Sequence, residues 1–127
     1  MRQNKFRIWD KIYKAMFQVS DISWACDGSI VYINGCLADN FILMQSTGLP
    51  DRNGKEIFQG DIISFSIFDW QDDDKQYTGV VTFEDGAMII KKDEIDYLDL
   101  SYVYYQDDEM EIIGNIHENP ELLEVSK

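Results

Sequence analysis

Cysteine and histidine are scarce in this sequence, long apolar runs are missing, and Lys and Arg are absent from residues 93–126. Each absence excludes something. The chain holds two cysteines and one histidine. Cys26 and Cys36 stand ten positions apart with no CxxC pair or histidine cluster beside them, whereas a zinc site needs about four ligands. They read as reduced, buried thiols of a cytosolic protein, with a disulfide or redox pair as the competing reading. No stretch approaches the roughly 20 apolar residues that span a bilayer. The opening MRQNKFRIWDKIYK is basic, but no continuous apolar segment of a secretory signal follows it. The expected address is the cytoplasm, with no membrane partner.

Between Asp93 and Ser126 there is no Lys or Arg at all. The formal net charge is -13, yet Arg2, Lys5, Arg7, Lys11 and Lys14 face only Asp10 within residues 1–14, a surplus of four, so the remainder carries -17. Nucleic-acid affinity comes largely from Lys and Arg displacing counterions, and direct DNA or RNA binding by the body of the chain is therefore disfavoured. The basic opening reads as a solvated edge, or as a patch drawn to the acidic surface of a neighbouring copy, which leaves homo-oligomerisation open. There is no glycine-rich phosphate loop, internal repeat or low-complexity linker.

What remains is material for a β-rich core. At 127 residues, 45% hydrophobic and 13% aromatic, the chain can bury a core without disulfides or metal and fits one domain. Its apolar residues alternate or run in short bursts bounded by Gly, Asn and Asp, which is strand patterning. Phe6 and Ile8 open a strand, with Asp10 and Lys11 as a turn and residues 15–19 returning. Asp27-Gly28 turns into Ile30–Ile33, which Asn34-Gly35 terminates, and residues 41–44 form another apolar run. Residues 46–60 concentrate turn formers, among them Pro50-Asp51 and Asn53-Gly54, and mark the nearest thing to an internal boundary. Strands are then expected at residues 62–68, 80–83, 87–90, 102–105 and 110–116, with Asp85-Gly86 suited to the positive φ of a tight hairpin turn. Asn119, Pro120 and Glu121 start a short terminal helix that carries Leu122 and Leu123 onto a small barrel.

Candidate chemistry is thin. Asp72, Asp73 and Asp74, and again Asp107, Asp108 and Glu109, are acidic runs. Consecutive strand-connection residues point in different directions, however, and no calcium-loop spacing is present, so both read as solvated loops. His117 reads as a surface histidine at the start of the terminal helix. Glu118 would raise its proton affinity if they paired, and no local signature supports pairing with Cys26 or Cys36. Trp9 and Trp24 read as packing residues, whereas Trp70, in an acidic loop, is the best placed for an exposed contact. Gly54 and Gly60 supply backbone conformations that other residues resist, Asp61 bonds local backbone, and Gly114 marks a bulge or close approach. The sequence thus nominates no catalytic, cofactor-binding or metal-binding residue.

Three segments carry a resemblance. MQSTGLPDRNGKEIFQGDII (residues 44–63), KFRIWDKIYKAMF near the start and IIGNIHENPELLE (residues 112–124) together resemble the central, N-terminal and C-terminal patterns of the YopX family; residues 20–43 and the loop FDWQDDDKQ (residues 68–76) match no such pattern. The resemblance implies one YopX-like domain over residues 1–127 of phage or prophage origin in Gram-positive bacteria. Its fold would be mainly β (α+β): a small N-terminal β-rich lobe, about residues 1–45, packed on an SH3-like C-terminal barrel, about residues 57–127. It implies no activity and so transfers no site residues. The expected function is a non-enzymatic protein-interaction module in the bacterial cytoplasm, engaging a host or phage protein. The alternatives are a nucleic-acid-associated or DNA-mimic regulator and, less favoured, a carboxylate- or metal-dependent enzyme.

Overall fold

The computed structural model describes residues 5–66, 76–91, 97–106 and 110–124. Its internal contacts divide the chain into two compact units, Met1–Ser46 and Thr47–Lys127. The described residues are mainly β, in curled antiparallel sheets.

In the first unit β1 (Phe6–Asp10) pairs antiparallel with β2 (Ala15–Gln18) on one side and with the first half of β6 (Phe41–Pro50) on the other. Ile8 and Trp9, in the middle of this arrangement, are buried, as is Met44 on β6. The β1–β2 turn is built by Asp10, itself buried, whose Oδ1 accepts the backbone N–H groups of Ile12 at 2.9 Å and Tyr13 at 3.0 Å. The Lys14 N–H donates to the Asp10 carbonyl at 2.8 Å, and Lys14 takes φ 55°, closing the loop. A short-side-chain acid at that position replaces the next strand bond with a turn, which is why strand propensity stops there.

A three-stranded sheet follows, ordered β3 (Ile22–Trp24), β4 (Ile30–Ile33), β5 (Cys36–Leu37). Asn34 and Gly35, with φ 54° and 80°, form the two-residue turn between β4 and β5, so Asn34-Gly35 turns the chain back as well as ending the strand. The Asn34 side chain also clips an earlier segment: its Oδ1 accepts the Ser20 N–H at 2.7 Å and its Nδ2 donates to the Gln18 carbonyl at 2.8 Å.

In the second unit five strands curl into a half-barrel ordered β11 (Tyr97–Asp99), β10 (Ala87–Lys91), β9 (Gln76–Glu84), β8 (Asp61–Ser66), β12 (Glu111–Asn115). The short β7 (Glu56–Phe58) precedes them, and the Thr47 hydroxyl donates to the Ile57 carbonyl at 2.8 Å. Ile57, Ile63, Phe65, Val81, Ile90, Leu100, Val103 and Met110 form the core. The expected β9–β10 hairpin is present, Glu84 pairing with Ala87 across Asp85 (φ 52°) and Gly86 (φ 82°). Positive φ at both central residues matches the right-handed twist of the flanking strands.

Two elements differ from the sequence reading. Residues 102–105, expected as a strand, lie in the helix α1 (Leu100–Gln106). The Asp99 carboxylate caps it by accepting the N–H groups of Ser101 at 2.9 Å and Tyr102 at 3.3 Å, and Leu100 and Val103, three apart, turn one apolar face into the core. Three tyrosines favour a strand there, and the cap with the core contact overrides that weak propensity. Second, residues 46–50, expected among turn formers, complete the ten-residue β6. The terminal helix α2 (Glu121–Glu124) is present, and the Asn119 Oδ1 accepts the Asn115 N–H at 3.2 Å.

Candidate interaction surface

Among the described residues the buried polar side chains are Asp10, Asp51, Asp61 and Asn115, and each is committed to backbone. Asp51 is the clearest case. Its Oδ1 accepts the N–H groups of Asn53 and Lys55, both at 2.9 Å, while Oδ2 accepts that of Ile112 on β12 at 3.1 Å. Burial pushes this carboxyl up, but the three backbone donors and the Lys55 charge outweigh burial and hold it below the usual carboxylate range. Asp61 Oδ2 accepts the Phe58 N–H at 2.8 Å beside Gly60, whose φ of 92° and N–H bond to the Val81 carbonyl set the entrance to β8. Asn115 accepts the His117 and Glu118 N–H groups and donates through Nδ2 to Glu118 Oε1 at 2.7 Å. A carboxylate whose lone pairs are filled by backbone is a poor general base and a poor metal ligand, so these residues read as architecture.

Gly114 is both a bulge, where the β8–β12 register shifts, and a close approach, since a Cβ there would lie 2.6 Å from Asn119 Oδ1. The residues that make the central and C-terminal sequence patterns distinctive thus hold loops against β8 and β12. Among the described residues no group of three or more His, Cys, Asp or Glu is placed to hold a metal ion. Asp72, Asp73, Asp74, Trp70, Asp107, Asp108 and Glu109 lie outside the described residues. His117 is half-buried on the second unit.

Two expectations about the first unit are corrected. Cys26 and Cys36 are free thiols, and both are exposed rather than buried. Cys36 pairs with Ile33 at one end of β4, whereas Cys26 follows Trp24, the partner of Ile30 at the other end. Three strand residues separate those ends by about 10 Å, beyond the roughly 7 Å Cα limit of a disulfide. Trp9 is buried as expected, but Trp24 is 61% exposed.

The Trp24 exposure belongs to a pattern. Ile12, Tyr13, Phe17, Trp24, Tyr32 and Leu37, all in the first unit, are exposed large apolar residues. Cross-strand partners share a face, as do residues two apart on one strand. Tyr32 pairs with Leu37, so these two share one face of the three-stranded sheet, whereas Trp24 pairs with Ile30 at the far end of β4, beyond the register shift that follows the Ser23–Tyr32 pair. Ile33, next to Tyr32 in sequence, turns to the other face and is buried. These exposed apolar residues sit in a unit with five Lys or Arg against four Asp, a net +1, while residues 47–127 carry six against twenty acids, a net -14.

The family model described as "YopX protein" matches residues 5–124. The chain belongs to the YopX family. Among solved structures it is similar to protein EF1440 from Enterococcus faecalis, at 28% identity and TM-score 0.71, with 97% of this chain and 99% of that one covered. It is also similar in fold to protein yopX from Bacillus subtilis, at 21% identity and TM-score 0.62, covering 93% and 96%. No curated protein matches the sequence. Membership accounts for the three sequence patterns. No helix among the described residues is long and apolar enough to cross a membrane.

Proposed function

We propose that this YopX-family chain is a non-enzymatic protein-interaction module of phage or prophage origin, acting in the bacterial cytoplasm on a host or phage protein. The observation that carries the reading is the exposure of Trp24, Tyr32 and Leu37 on one small sheet. Exposed aromatics on a rigid sheet supply large contact area at small entropic cost, and such residues dominate interface energetics. A net charge near zero around them lets an apolar partner surface approach without the repulsion that residues 47–127 would impose. The finer fold assignment for the second unit is an SH3-like barrel, supported by the consecutive β8–β9–β10–β11 order, the helical α1 and the return of β12 beside β8.

The test is affinity capture from phage-infected or prophage-bearing cells with the wild type and with W24S/Y32S/L37S, followed by titration of any captured protein in purified form. A partner that binds the wild type directly and is lost with the variant supports the reading. Equal retention by both forms, or no direct binding, refutes it. The -14 carried by residues 47–127 favours one second reading, a DNA mimic that occupies the basic groove of a nucleic-acid-binding protein; duplex DNA would then compete with this chain for the captured partner.

A further inference from the structure

The turn between β1 and β2 presents Lys11, Ile12, Tyr13 and Lys14, all exposed, with Ile12 at 62% and Tyr13 at 78%. Two large apolar side chains at such exposure, set between two cations, offer contact area that a partner of opposite charge could bury. The loop that carries them is held at several points. Asp10 Oδ1 fixes the Ile12 and Tyr13 amides, the Lys14 N–H closes on the Asp10 carbonyl, and the Lys11 N–H donates to the Asn40 carbonyl at 2.9 Å. A loop ordered in advance loses little conformational entropy on binding, and a bound partner would gain most of the contact energy.

The matching partner needs acidic groups set around exposed apolar side chains. This chain carries such a surface itself. In its second unit Phe83, exposed, is followed at the β9–β10 turn by the exposed Asp85 and by Glu84, whose carboxylate is paired with Lys91 at 3.2 Å, and Ile113, also exposed, lies two residues from Glu111 on β12. Residues 47–127 hold the -14, whereas residues 1–14 hold a surplus of four positive charges. Screening over about 8 Å at physiological salt removes most of the body-to-body repulsion but leaves contact pairs effective. We propose that the Lys11–Ile12–Tyr13–Lys14 tip of one copy docks on the acidic second unit of another copy. The contact is heterologous, since the two surfaces differ, and it therefore builds rings or open chains rather than stopping at a dimer. It uses different residues from Trp24, Tyr32 and Leu37 and does not depend on the identity of their partner.

Sedimentation velocity of the full chain over a wide concentration range, at roughly 50, 150 and 500 mM salt, tests this. The expected weight-average mass rises above the 14.8 kDa monomer with concentration at low salt and falls back as salt rises. K11E/K14E and, separately, I12S/Y13S weaken association by roughly tenfold or more. The residues are exposed, so circular dichroism of the variants should match the wild type; K11Q/K14Q serves where charge reversal impairs folding. W24S/Y32S leaves this association unchanged, which separates it from the reading under Proposed function. A monomer at every condition overturns the proposal, as does association that strengthens with salt or ignores the tip variants. Tip-dependent binding to vesicles rich in phosphatidylglycerol, without self-association, overturns it too and assigns the tip to an anionic membrane.

Discussion

Replacing Asp51 by alanine removes the acceptor of three backbone N–H groups at once. Two of them, on Asn53 and Lys55, belong to exposed residues and can turn to water, but the third, on Ile112, anchors the loop to β12. A hydrogen bond to a charged group contributes about 1.5 to 3 kcal/mol net, and a buried donor left unpaired costs a similar amount. Asp51→Ala should therefore destabilise the fold by about 3 kcal/mol. Asp51→Asn keeps one carbonyl oxygen for the loop amides while setting an NH2 against the Ile112 N–H, and about half that loss is expected. Urea unfolding at neutral pH should show a lower midpoint with an unchanged slope, and amide exchange should show Ile112 losing protection. The pH dependence adds an independent check. The donors hold the folded carboxyl below its value in the unfolded chain, so its contribution is complete above about pH 4 and fades as pH falls through the lower folded value. The gap between wild type and Asp51→Asn should narrow on acidification. A loss below about 0.5 kcal/mol for alanine, the range of ordinary surface substitutions, would refute the clamp, as would a gap indifferent to pH.

Gly114→Ala should cost about 1 to 3 kcal/mol, because the new methyl group collides with Asn119 and the bulge must shift; an unchanged urea midpoint would contradict the close approach. Gly86→Ala should cost about 1 kcal/mol through its φ of 82°, read as a lower melting temperature, and a stabilised protein would contradict the hairpin geometry. Both thiols should react with Ellman's reagent in the native protein, and a native count below the denatured one would contradict the exposure of Cys26 or Cys36. Duplex DNA should show no saturable binding at about 50 or 150 mM salt, whereas binding that weakens steeply with salt and disappears when Arg2, Lys5, Arg7, Lys11 and Lys14 are neutralised would overturn the electrostatic argument.

The candidate surface was less legible than the fold. Turn chemistry at Asp27-Gly28 and Asp85-Gly86 is local, and there the backbone needs only what two adjacent residues supply, so the sequence located those turns, β4 and the β9–β10 hairpin, though not the short β3. The same holds for Asp61 and Gly114, whose roles depend on neighbours within a few positions. Trp24 was misread because exposure depends on which face of a sheet is covered. Strand alternation puts Tyr32 on one side and Ile33 on the other, but nothing in the alternation says which side is inside or whether the end of β3 at Trp24 is covered. Cys26 and Cys36 were misread for a related reason: burial is usual for free cysteine, yet one follows a three-residue strand and the other opens a two-residue strand.

The sequence by itself determined the mainly β character, the tight turns, the family patterns and the separation of a cationic opening from an acidic remainder, because each depends on composition or on residues close along the chain. Tertiary structure alone decided that residues 100–106 coil into a helix, since only the core around Val103 makes that face worth burying. It also decided that Asp51 reaches 61 positions along the chain to Ile112, and that Trp24, Tyr32 and Leu37 stay exposed on the three-stranded sheet. Those outcomes rest on long-range contacts, whose closure entropy is repaid only by the packed whole and leaves no local pattern to read.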